Sequence, residues 1–179
     1  MIVVIIGGGW AGCGAAIAAR QKGARVILLE RTDMLLGTGL VGGIMRNNGR
    51  YTATEELIAM GGGQILAAID GNLLHQHVEF PGHSNASLYN VATMEPIIRR
   101  LLQGHQIEMR FGARVTAVNM DGNRITAVSG KKKAEPVHVS GDVFIDSTGT
   151  AGPPAVCYKF GNRCAMCVLR CHSFGGRVS

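Results

Sequence analysis

The hydrophobic pattern at the start of the chain predicts a strand, a turn, a helix and a second strand. Residues 1–6 form an apolar run rich in β-branched side chains, and residues 25–29 form a second run that ends at Glu30. Between these runs, a glycine-rich turn leads into an alanine-rich stretch over 10–22, which Gly23 follows. β-branched runs favour strands, alanine favours a helix, and glycine is common just after a helix end. This order is a βαβ unit.

Further helices are expected before the pattern turns to strands. One helix is expected over 54–69, interrupted by the glycines at 61–63, and 70–90 is expected to be irregular. Thr93 is the expected N-cap of the next helix. The side chains expected to face the core in that helix are Ile97, Ile98, Leu101 and Leu102. In the first helix, the side chains expected to face the core are those of Ala11, Ala15, Ala18 and Ala19.

The second half of the chain predicts mainly strands. The apolar pattern of residues 107–111 predicts a third parallel strand. The pattern of residues 142–145 predicts a fourth parallel strand, which is expected to be buried. Between them, polar and apolar residues alternate in three short runs: 114–119, 124–129 and 136–139. The turns of this β-meander are expected at residues 121–123 and at Gly130 with the lysines that follow. The predicted class is α/β, a Rossmann-like parallel sheet with a three-stranded β-meander crossover.

The turn after the first strand has the spacing G-x-G-x-x-G, filled by Gly7, Gly9 and Gly12. Gly7 permits a sharp turn, Gly9 lets a pyrophosphate approach the backbone, and Gly12 lets the helix lie close to the sheet. The unpaired N–H groups of the first helical turn suit a diphosphate. Glu30 can accept hydrogen bonds from ribose hydroxyls and would repel a 2′-phosphate. The pattern predicts dinucleotide binding, and the alternative is a glycine-rich turn in an ordinary α/β protein.

Two later segments are expected to border the same ligand. Residues 35–49 contain five glycines and have no clear periodicity. They predict a loop over the ligand, with Gly37 and Thr38 near the diphosphate, and a flexible surface loop is the alternative. The strand expected at 142–145 leads into small residues up to Gly149, which also suit a close approach of ligand.

Composition narrows the expected partners. The formal net charge is +6, and residues 131–133, three lysines, contribute half of that number, as expected of a solvated turn. No basic stripe is interleaved with aromatic residues, so nucleic acid is not an expected partner. No run reaches the roughly 18 apolar residues of a membrane span, and we expect a cytoplasmic protein. His75, His77 and His83 are interpreted as exposed loop residues, because no carboxylate or thiol cluster accompanies them.

Four of the five cysteines lie near the end of the printed sequence with the spacing C-x6-C-x2-C-x3-C: Cys157, Cys164, Cys167 and Cys171. A C-x2-C pair can bring two sulfurs to one metal. A disulfide framework is not expected in a cytosolic protein. The compact spacing favours a [4Fe–4S] cluster, with zinc or thiols without a metal as the alternatives. Cys13, in the first helix, is interpreted as a packed small residue.

The order of these features resembles the FAD-dependent oxidoreductases of the two-dinucleotide-binding-fold type, in particular the family with fumarate-reductase-like dehydrogenases. The matching stretches are IIGGGWAGCGAAIAARQKGARVILLER, MEPIIRRLLQGHQIEMRFGARVTAV and VFIDSTGTAG. The first stretch alone also resembles flavin-dependent tRNA-modifying proteins. The resemblance implies that FAD is the cofactor. It implies diphosphate contacts at Gly7, Gly9, Ala11 and Gly12, ribose contacts at Glu30 and Arg31, an adenine contact at the Val115 backbone, and adenosine-side phosphate contacts at Thr148 and Gly149.

The resemblance also implies parts that other protein would supply. A complete FAD domain of this type has a second G-D-type motif for the ribityl chain and a substrate domain over the flavin ring, and neither is found after Gly152. We therefore expect residues 1–152 to form the N-terminal part of an incomplete FAD-binding domain, and residues 153–179 to form a cysteine-rich, cluster-binding tail. A second protein chain would complete the sites for FAD and a small-molecule substrate. A truncated fragment is the alternative.

These expectations combine into one hypothesis about function. The chain would be an FAD-binding subunit or fragment of an oxidoreductase that passes electrons between flavin and an iron–sulfur cluster. The alternatives are a non-catalytic electron-transfer or assembly module and a fragment of a flavin-dependent tRNA-modifying enzyme. The sequence assigns no catalytic acid or base.

Overall fold

The computed structural model describes residues 1–42, 44–45, 58–80 and 83–149. The strands, in chain order, are β1 Ile2–Ile6, β2 Arg25–Glu30, β3 Ile44–Met45, β4 Leu73–Phe80, β5 His83–Tyr89, β6 Glu108–Phe111, β7 Ala113–Asp121, β8 Arg124–Lys132, β9 Glu135–Ser140 and β10 Val143–Asp146. The α-helices are α1 Trp10–Gln21, α2 Gly39–Gly42, α3 Gly63–Asp70 and α4 Val91–Gly104, and a π-helical turn, Ile58–Gly62, precedes α3.

Four parallel strands form the central sheet, in the order β10-β1-β2-β6. Alternate side chains of β1 and β2 point to opposite faces, as the pleat of a strand requires. Val3 and Leu28 face a core built with α1, α3 and α4. Val4 and Ile27 face the other side, where they pack with residues of β7, β8 and β9. The sheet is therefore covered by helices on one face and by the meander on the other, which confirms the predicted fold class.

Helix α1 ends as its sequence predicts. Gly23 has φ of 82°, a left-handed conformation that glycine adopts without strain. Its N–H donates to Arg20 O (2.9 Å), and the N–H of Ala24 donates to Ala19 O (3.2 Å). These two bonds satisfy carbonyls that the last helical turn leaves without partners, which is the Schellman arrangement.

The face of α1 that packs on the sheet differs in part from the prediction. Ala15 and Ala19 are partly buried and pack against the core, as predicted. Ala11 and Ala18 are exposed, and the buried residues are Gly12, Cys13, Ala16 and Ile17. Small apolar residues occur on all sides of this helix, so its hydrophobic pattern does not single out one face. The buried face is the one that carries Gly12 and Ile17, where the backbone approaches the sheet closely.

Helix α4 begins earlier than expected, because its N-cap is Asn90 and not Thr93. The Asn90 side-chain oxygen accepts the Ala92 N–H (3.0 Å), and Thr93 lies inside the first turn. Asparagine is as good an N-cap as threonine, and both precede the apolar residues, so the pattern left the choice open. Ile98 and Leu102 are fully buried as predicted, whereas the predicted Ile97 and Leu101 are only partly buried.

The prediction of an irregular stretch over 70–90 is wrong. β4 and β5 form an antiparallel pair, and β5 also pairs with β3, so these strands make a second, three-stranded sheet. The register shifts near His75 and Val78, and His77 has φ of 51°, so no simple alternation marks the strand. His75 and His77 are exposed, as expected, but lie on β4 and not in a loop.

The predicted interruption of the helix over 54–69 is confirmed at its glycines. Gly61 has φ of 97°, which separates the turn Ile58–Gly62 from α3. Residues 54–57, the expected start of that helix, lie outside the described residues. None of the helices in the described parts of the chain is long and apolar enough to cross a membrane.

The meander and both later parallel strands are confirmed, with two corrections. β10 was expected to be buried, but it is an edge strand of the central sheet, and its Val143 and Asp146 are exposed. Gly122 has φ of 56° in the first turn, as expected. The second turn lies at Lys133, with φ of 55°, whereas Gly130 is inside β8. A Cβ atom at Gly130 would lie 1.9 Å from Arg114 O. Close contact with β7, and not turn geometry, therefore requires glycine at this position.

Replacing Ile98 by alanine tests the core beneath α4. Ile98 has no exposed surface, so we expect the Ile98→Ala variant to lose about 2–5 kcal/mol of unfolding free energy. Ile97→Ala, the same substitution at the partly buried neighbour, is the matched control and is expected to lose about 1 kcal/mol. Urea unfolding followed by circular dichroism measures both. Equal losses would contradict the difference in burial between the two side chains.

Candidate dinucleotide site

The glycine turn lies where the carboxyl ends of β1, β2 and β10 meet. Gly7 leaves β1 with φ of 102°, and its N–H donates to Leu29 O (2.8 Å). A Cβ atom at Gly7 would lie 2.6 Å from Ser147 O. Both the conformation and the space therefore require glycine at this point.

Gly12 and Gly9 differ in what surrounds them. A Cβ atom at Gly12 would lie 1.9 Å from Gly7 O, so the helix lies directly against the turn. At Gly9, no described atom lies within 4 Å of an added Cβ. Gly9 is the N-cap of α1 and supplies no side-chain acceptor. The N–H groups of the first turn, including that of Ala11, are thus placed to bind an anion that approaches past Gly9.

Glu30 is buried at the end of β2 and holds the turn. Its Oε2 accepts the Gly8 N–H (2.8 Å), and its Oε1 accepts the N–H (2.8 Å) and hydroxyl (2.9 Å) of Thr32. A carboxylate has about four acceptor positions, so about one remains for a ribose hydroxyl. Its negative charge opposes a phosphate at the same place.

The segment after Glu30 lies against the same turn. Leu36 has φ of 72°, its N–H donates to Gly8 O (2.7 Å), and it forms a parallel bridge with Gly9. Gly37 and Thr38 follow directly, so they stand beside the turn, and α2 begins at the next residue. That they contact a diphosphate stays a prediction.

A cavity of about 670 Å³ opens between the strand ends and the meander. Five of the residues proposed from the sequence line it: Gly7, Glu30, Arg31, Val115 and Thr148. The other six stand outside its lining: Gly9, Ala11, Gly12, Gly37, Thr38 and Gly149. The remaining lining residues were not predicted: Ile6, Leu29, Ala113, Arg114, Thr116, Ala117, Val118, Ile125, Val128, Phe144 and Asp146. Most of these are apolar or small, which suits the faces of a flat heterocycle.

Ser147 is a residue of this site that the sequence pattern did not single out. Its hydroxyl is placed to donate to Ile6 O (2.9 Å) and Gly7 O (2.7 Å), so it fastens the end of β10 to the glycine turn. The signal for it lies in the pairing of strands. Ile6 is opposite Asp146, and the residue after Asp146 therefore reaches the start of the turn. Sequence alone does not give that register.

The side chain of Trp10 connects the first residue of α1 to the second sheet. Its ring meets the Tyr89 ring edge-on, with centroids 5.7 Å apart and planes at 83°. The Tyr89 hydroxyl donates to Gly39 O. Burial raises the pKa of Tyr89 above its ordinary value, so the hydroxyl stays protonated as a donor. The glycine turn, α2 and β5 are thereby joined through one aromatic contact.

Cys13 lies beneath the turn, buried with no exposed surface, as the packed-residue interpretation expected. Its Sγ donates to Gly8 O (3.3 Å). Burial raises the pKa of the Cys13 thiol to about 12, and the negative charges of Glu30 and Glu95 act in the same direction. The thiol is therefore neutral and unreactive at physiological pH.

No group of three histidine, cysteine, aspartate or glutamate side chains in the described residues is arranged to hold a metal ion. The four cysteines proposed as cluster ligands, Cys157, Cys164, Cys167 and Cys171, lie outside the described residues. The same is true of the proposed tail, 153–179, as a whole.

The geometry fits the ADP end of FAD. The approach past Gly9 is open, the helix N-terminus behind it suits a diphosphate, and Glu30 keeps an acceptor position for a ribose. The cavity beside them reaches Val115 on the meander, where an adenine would find apolar walls. The fold and this site together define a dinucleotide-binding protein.

The chain belongs to the FAD-dependent oxidoreductase family, whose sequence model, described as "FAD dependent oxidoreductase", matches residues 3–155. It is 25% identical over 164 residues to the FAD-dependent monooxygenase ntnJ of a Nectria species, which covers 87% of this chain and 38% of that protein. It is 44% identical over 54 residues to one subunit of the anaerobic glycerol-3-phosphate dehydrogenase of Escherichia coli K12, which covers 30% of this chain and 10% of that protein.

Solved structures of two enzymes share the fold. CabE, an aromatic hydroxylase from angucycline biosynthesis, superposes with a TM-score of 0.59 at 20% identity, over 82% of this chain and 30% of its own. The 3-ketosteroid-delta4-(5alpha)-dehydrogenase of Rhodococcus jostii RHA1 gives 0.56 at 16% identity, over 82% of this chain and 45% of its own. The chain thus spans well under half the length of CabE and of the monooxygenase, and less than half that of the ketosteroid dehydrogenase.

Alkylation at pH 8 tests the burial of Cys13. With a pKa of about 12, roughly one thiol in ten thousand is ionised at that pH, and burial blocks access as well. We expect peptide mapping after iodoacetamide treatment to show Cys13 unmodified in the folded chain and modified in guanidinium chloride. The denatured sample is the control for reactivity. Equal modification in both samples would contradict the described packing.

Proposed function

We propose that this chain binds the ADP end of FAD as part of an FAD-dependent oxidoreductase. The observation that carries the proposal is the open approach past Gly9 between the N-terminus of α1 and the buried carboxylate of Glu30. FAD, when bound, supplies hydride or single-electron transfer. The residues of this chain position it: backbone N–H groups bind the diphosphate, and Glu30 accepts a ribose hydroxyl.

The Gly9→Ala variant tests the diphosphate site. An alanine Cβ at residue 9 meets no described atom and the backbone is extended (φ −69°), so the fold is kept at a cost of at most about 1 kcal/mol at the N-cap. The methyl group points into space that the proposal gives to the diphosphate, and we expect the FAD dissociation constant to rise at least about tenfold. Gly104→Ala, also in open space but on α4, is the matched control.

Competition in the same titration identifies the end of FAD that this chain holds. Flavin fluorescence of the full chain is followed while ADP or riboflavin is added. ADP is expected to displace FAD, because the proposed contacts are all to the ADP end. Riboflavin lacks that end and is not expected to displace FAD. Absence of FAD binding by the wild-type chain, or displacement by riboflavin alone, would overturn the proposal.

We further propose that the flavin ring and a small-molecule substrate are held by protein outside this sequence, in a second chain. The support is that the match to the monooxygenase relative covers only 38% of that protein. Purification of the natural complex with a second flavoprotein chain is the expected outcome. Reduction of FAD by a substrate on this chain alone would contradict it. The cytoplasmic location expected from the sequence stays a prediction, which cell fractionation would check.

The relatives support two candidate reaction types. The short, 44% identical match to a dehydrogenase subunit supports a dehydrogenase, which is our proposal. That it is of the fumarate-reductase-like kind stays a prediction from the sequence. The longer, 25% identical match favours a monooxygenase as the second candidate. Oxygen consumption coupled to substrate hydroxylation by the natural complex would decide for the monooxygenase.

We also propose that the cysteines at 157, 164, 167 and 171 bind a [4Fe–4S] cluster. The support is their spacing in the sequence, since thiolates are the ligands of such clusters and the C-x2-C pair brings two of them together. A cluster carries single electrons, which suits a protein that also binds a flavin. Zinc bound by the same thiolates is the alternative.

Metal analysis after anaerobic purification tests the cluster. We expect about four iron and four sulfide per chain, with broad visible absorbance. Replacing Cys164 and Cys167 together by serine is expected to abolish both, because serine is a poor ligand for these irons. Cys13→Ala, in the helix, is the matched control and should keep the iron. Zinc without sulfide in the wild-type chain would refute the proposal.

A further inference from the structure

An ion pair on α4, with Glu95 buried and Arg99 partly exposed, is hydrogen-bonded to the segment that follows Glu30. Glu95 is 4% exposed, and a single oxygen of its carboxylate, Oε1, accepts the Leu35 N–H (3.0 Å) and the Nε–H of Arg99 (2.9 Å). Arg99 also donates through Nη2 to Glu95 and to Asp33 O (2.8 Å). The pair therefore binds both a donor and an acceptor of the backbone over residues 33–35, which we call the 33–35 segment.

The position of Arg99 is fixed from a second side. Its guanidinium carbon lies 4.1 Å from the centre of the Phe111 ring, a cation–π contact. Phe111 is the residue of β6 that pairs with Glu30 of β2. The guanidinium is thus held over the central sheet beside the strand end that carries Glu30. A planar group that stacks on a ring and also donates to a carboxylate is restricted in orientation.

The 33–35 segment in turn packs against the glycine turn. A Cβ atom at Gly8 would lie 2.8 Å from the Leu35 side chain, so Leu35 packs directly against Gly8. The next residue, Leu36, donates its N–H to Gly8 O (2.7 Å). Contacts therefore run without a gap from Glu95 through Leu35 to Gly8. None of these groups lines the cavity.

We propose that Glu95 and Arg99 are positioning residues for FAD, which fix the 33–35 segment and through it the glycine turn in the conformation that binds the diphosphate. This inference rests on the proposed function. Without the pair, Leu35 N–H and Asp33 O lose their partners, and the segment samples other conformations. If the binding conformation falls to about a tenth of the population, the apparent affinity falls about tenfold.

The test measures the FAD affinity of variants of the full chain, and it includes a variant that loses stability for a different reason. Glu95→Ala is expected to raise the FAD dissociation constant about tenfold. Glu95→Gln keeps a carbonyl oxygen for Leu35 N–H and is expected to stay within about threefold of wild type. Ile98→Ala, about one turn along α4, destabilises the core without removing any of these hydrogen bonds and is expected to change the dissociation constant less than about threefold, although it lowers the melting temperature.

Hydrogen exchange supplies a reading that does not depend on the cofactor. Glu95→Ala is expected to speed amide exchange at Leu35 and Leu36 in the chain without FAD, whereas Ile98→Ala leaves their exchange rates relative to the rest of the sheet unchanged. If Glu95→Ala does not fold, Arg99→Gln removes the contact to Asp33 O from the more exposed partner and is expected to raise the dissociation constant in the same direction.

Three results would overturn the inference, and they are distinguishable. Equal affinity loss in Glu95→Ala and Ile98→Ala would assign Glu95 to stability alone. If Glu95→Ala changes neither the FAD affinity nor the amide exchange, the positioning role is refuted. The proposed function then still stands, because the wild-type chain binds FAD. Absence of FAD binding by the wild-type chain would refute the proposed function and the inference together.

Discussion

The structure depends on the packing of helix α1 directly against the glycine turn. There is no room for a side chain at Gly12, where an added Cβ would lie 1.9 Å from Gly7 O. The turn is also tied to its neighbouring strands, because Gly7 N–H donates to Leu29 O and the Ser147 hydroxyl reaches Gly7 O. The turn therefore joins three strand ends and a helix start at one point. A substitution that displaces it changes the sheet and the ligand site together.

The two faces of the sheet contribute different parts of this site. The helical face supplies the buried core and the N-terminus of α1, where an anion is stabilised. The meander face supplies a wall, since Ala113 and Val128 pack under the sheet while Val115 and Thr116 line the cavity beside it. The alternation of side chains along β1 and β2 makes both possible at once. Neither face forms the site without the other.

Residues that act through local rules were predictable from the sequence. The turn glycines, the Gly23 cap and the parallel strands follow from conformational preference and runs of apolar residues, and the structure has them where expected. The predictions that failed needed information about partners. The buried face of α1 depends on what packs on an evenly apolar helix, and β4 has register shifts that remove its alternation of polar and apolar residues.

In the site, too, residues that depend on distant partners were not predicted. Ser147 and Glu95 were missed as contributors, because each reaches its partner across a sequence separation that only the fold closes: 140 residues from Ser147 to Gly7, and 60 from Glu95 to Leu35.

Two buried carboxylates lie near a turn that is suited to an anion, and their negative charges would repel that anion. Glu30 and Glu95 both raise the pKa of the Cys13 thiol, so their charges are felt beneath the turn. Each carboxylate is turned toward a backbone N–H, Gly8 for Glu30 and Leu35 for Glu95, on the inner side. These hydrogen bonds do not use the N–H groups of the first turn of α1, next to the open space at Gly9. We therefore expect a diphosphate to bind at the N-terminus of α1. A phosphate at the ribose position would meet the charge of Glu30, so the carboxylate that holds the turn is also expected to select against a 2′-phosphorylated dinucleotide.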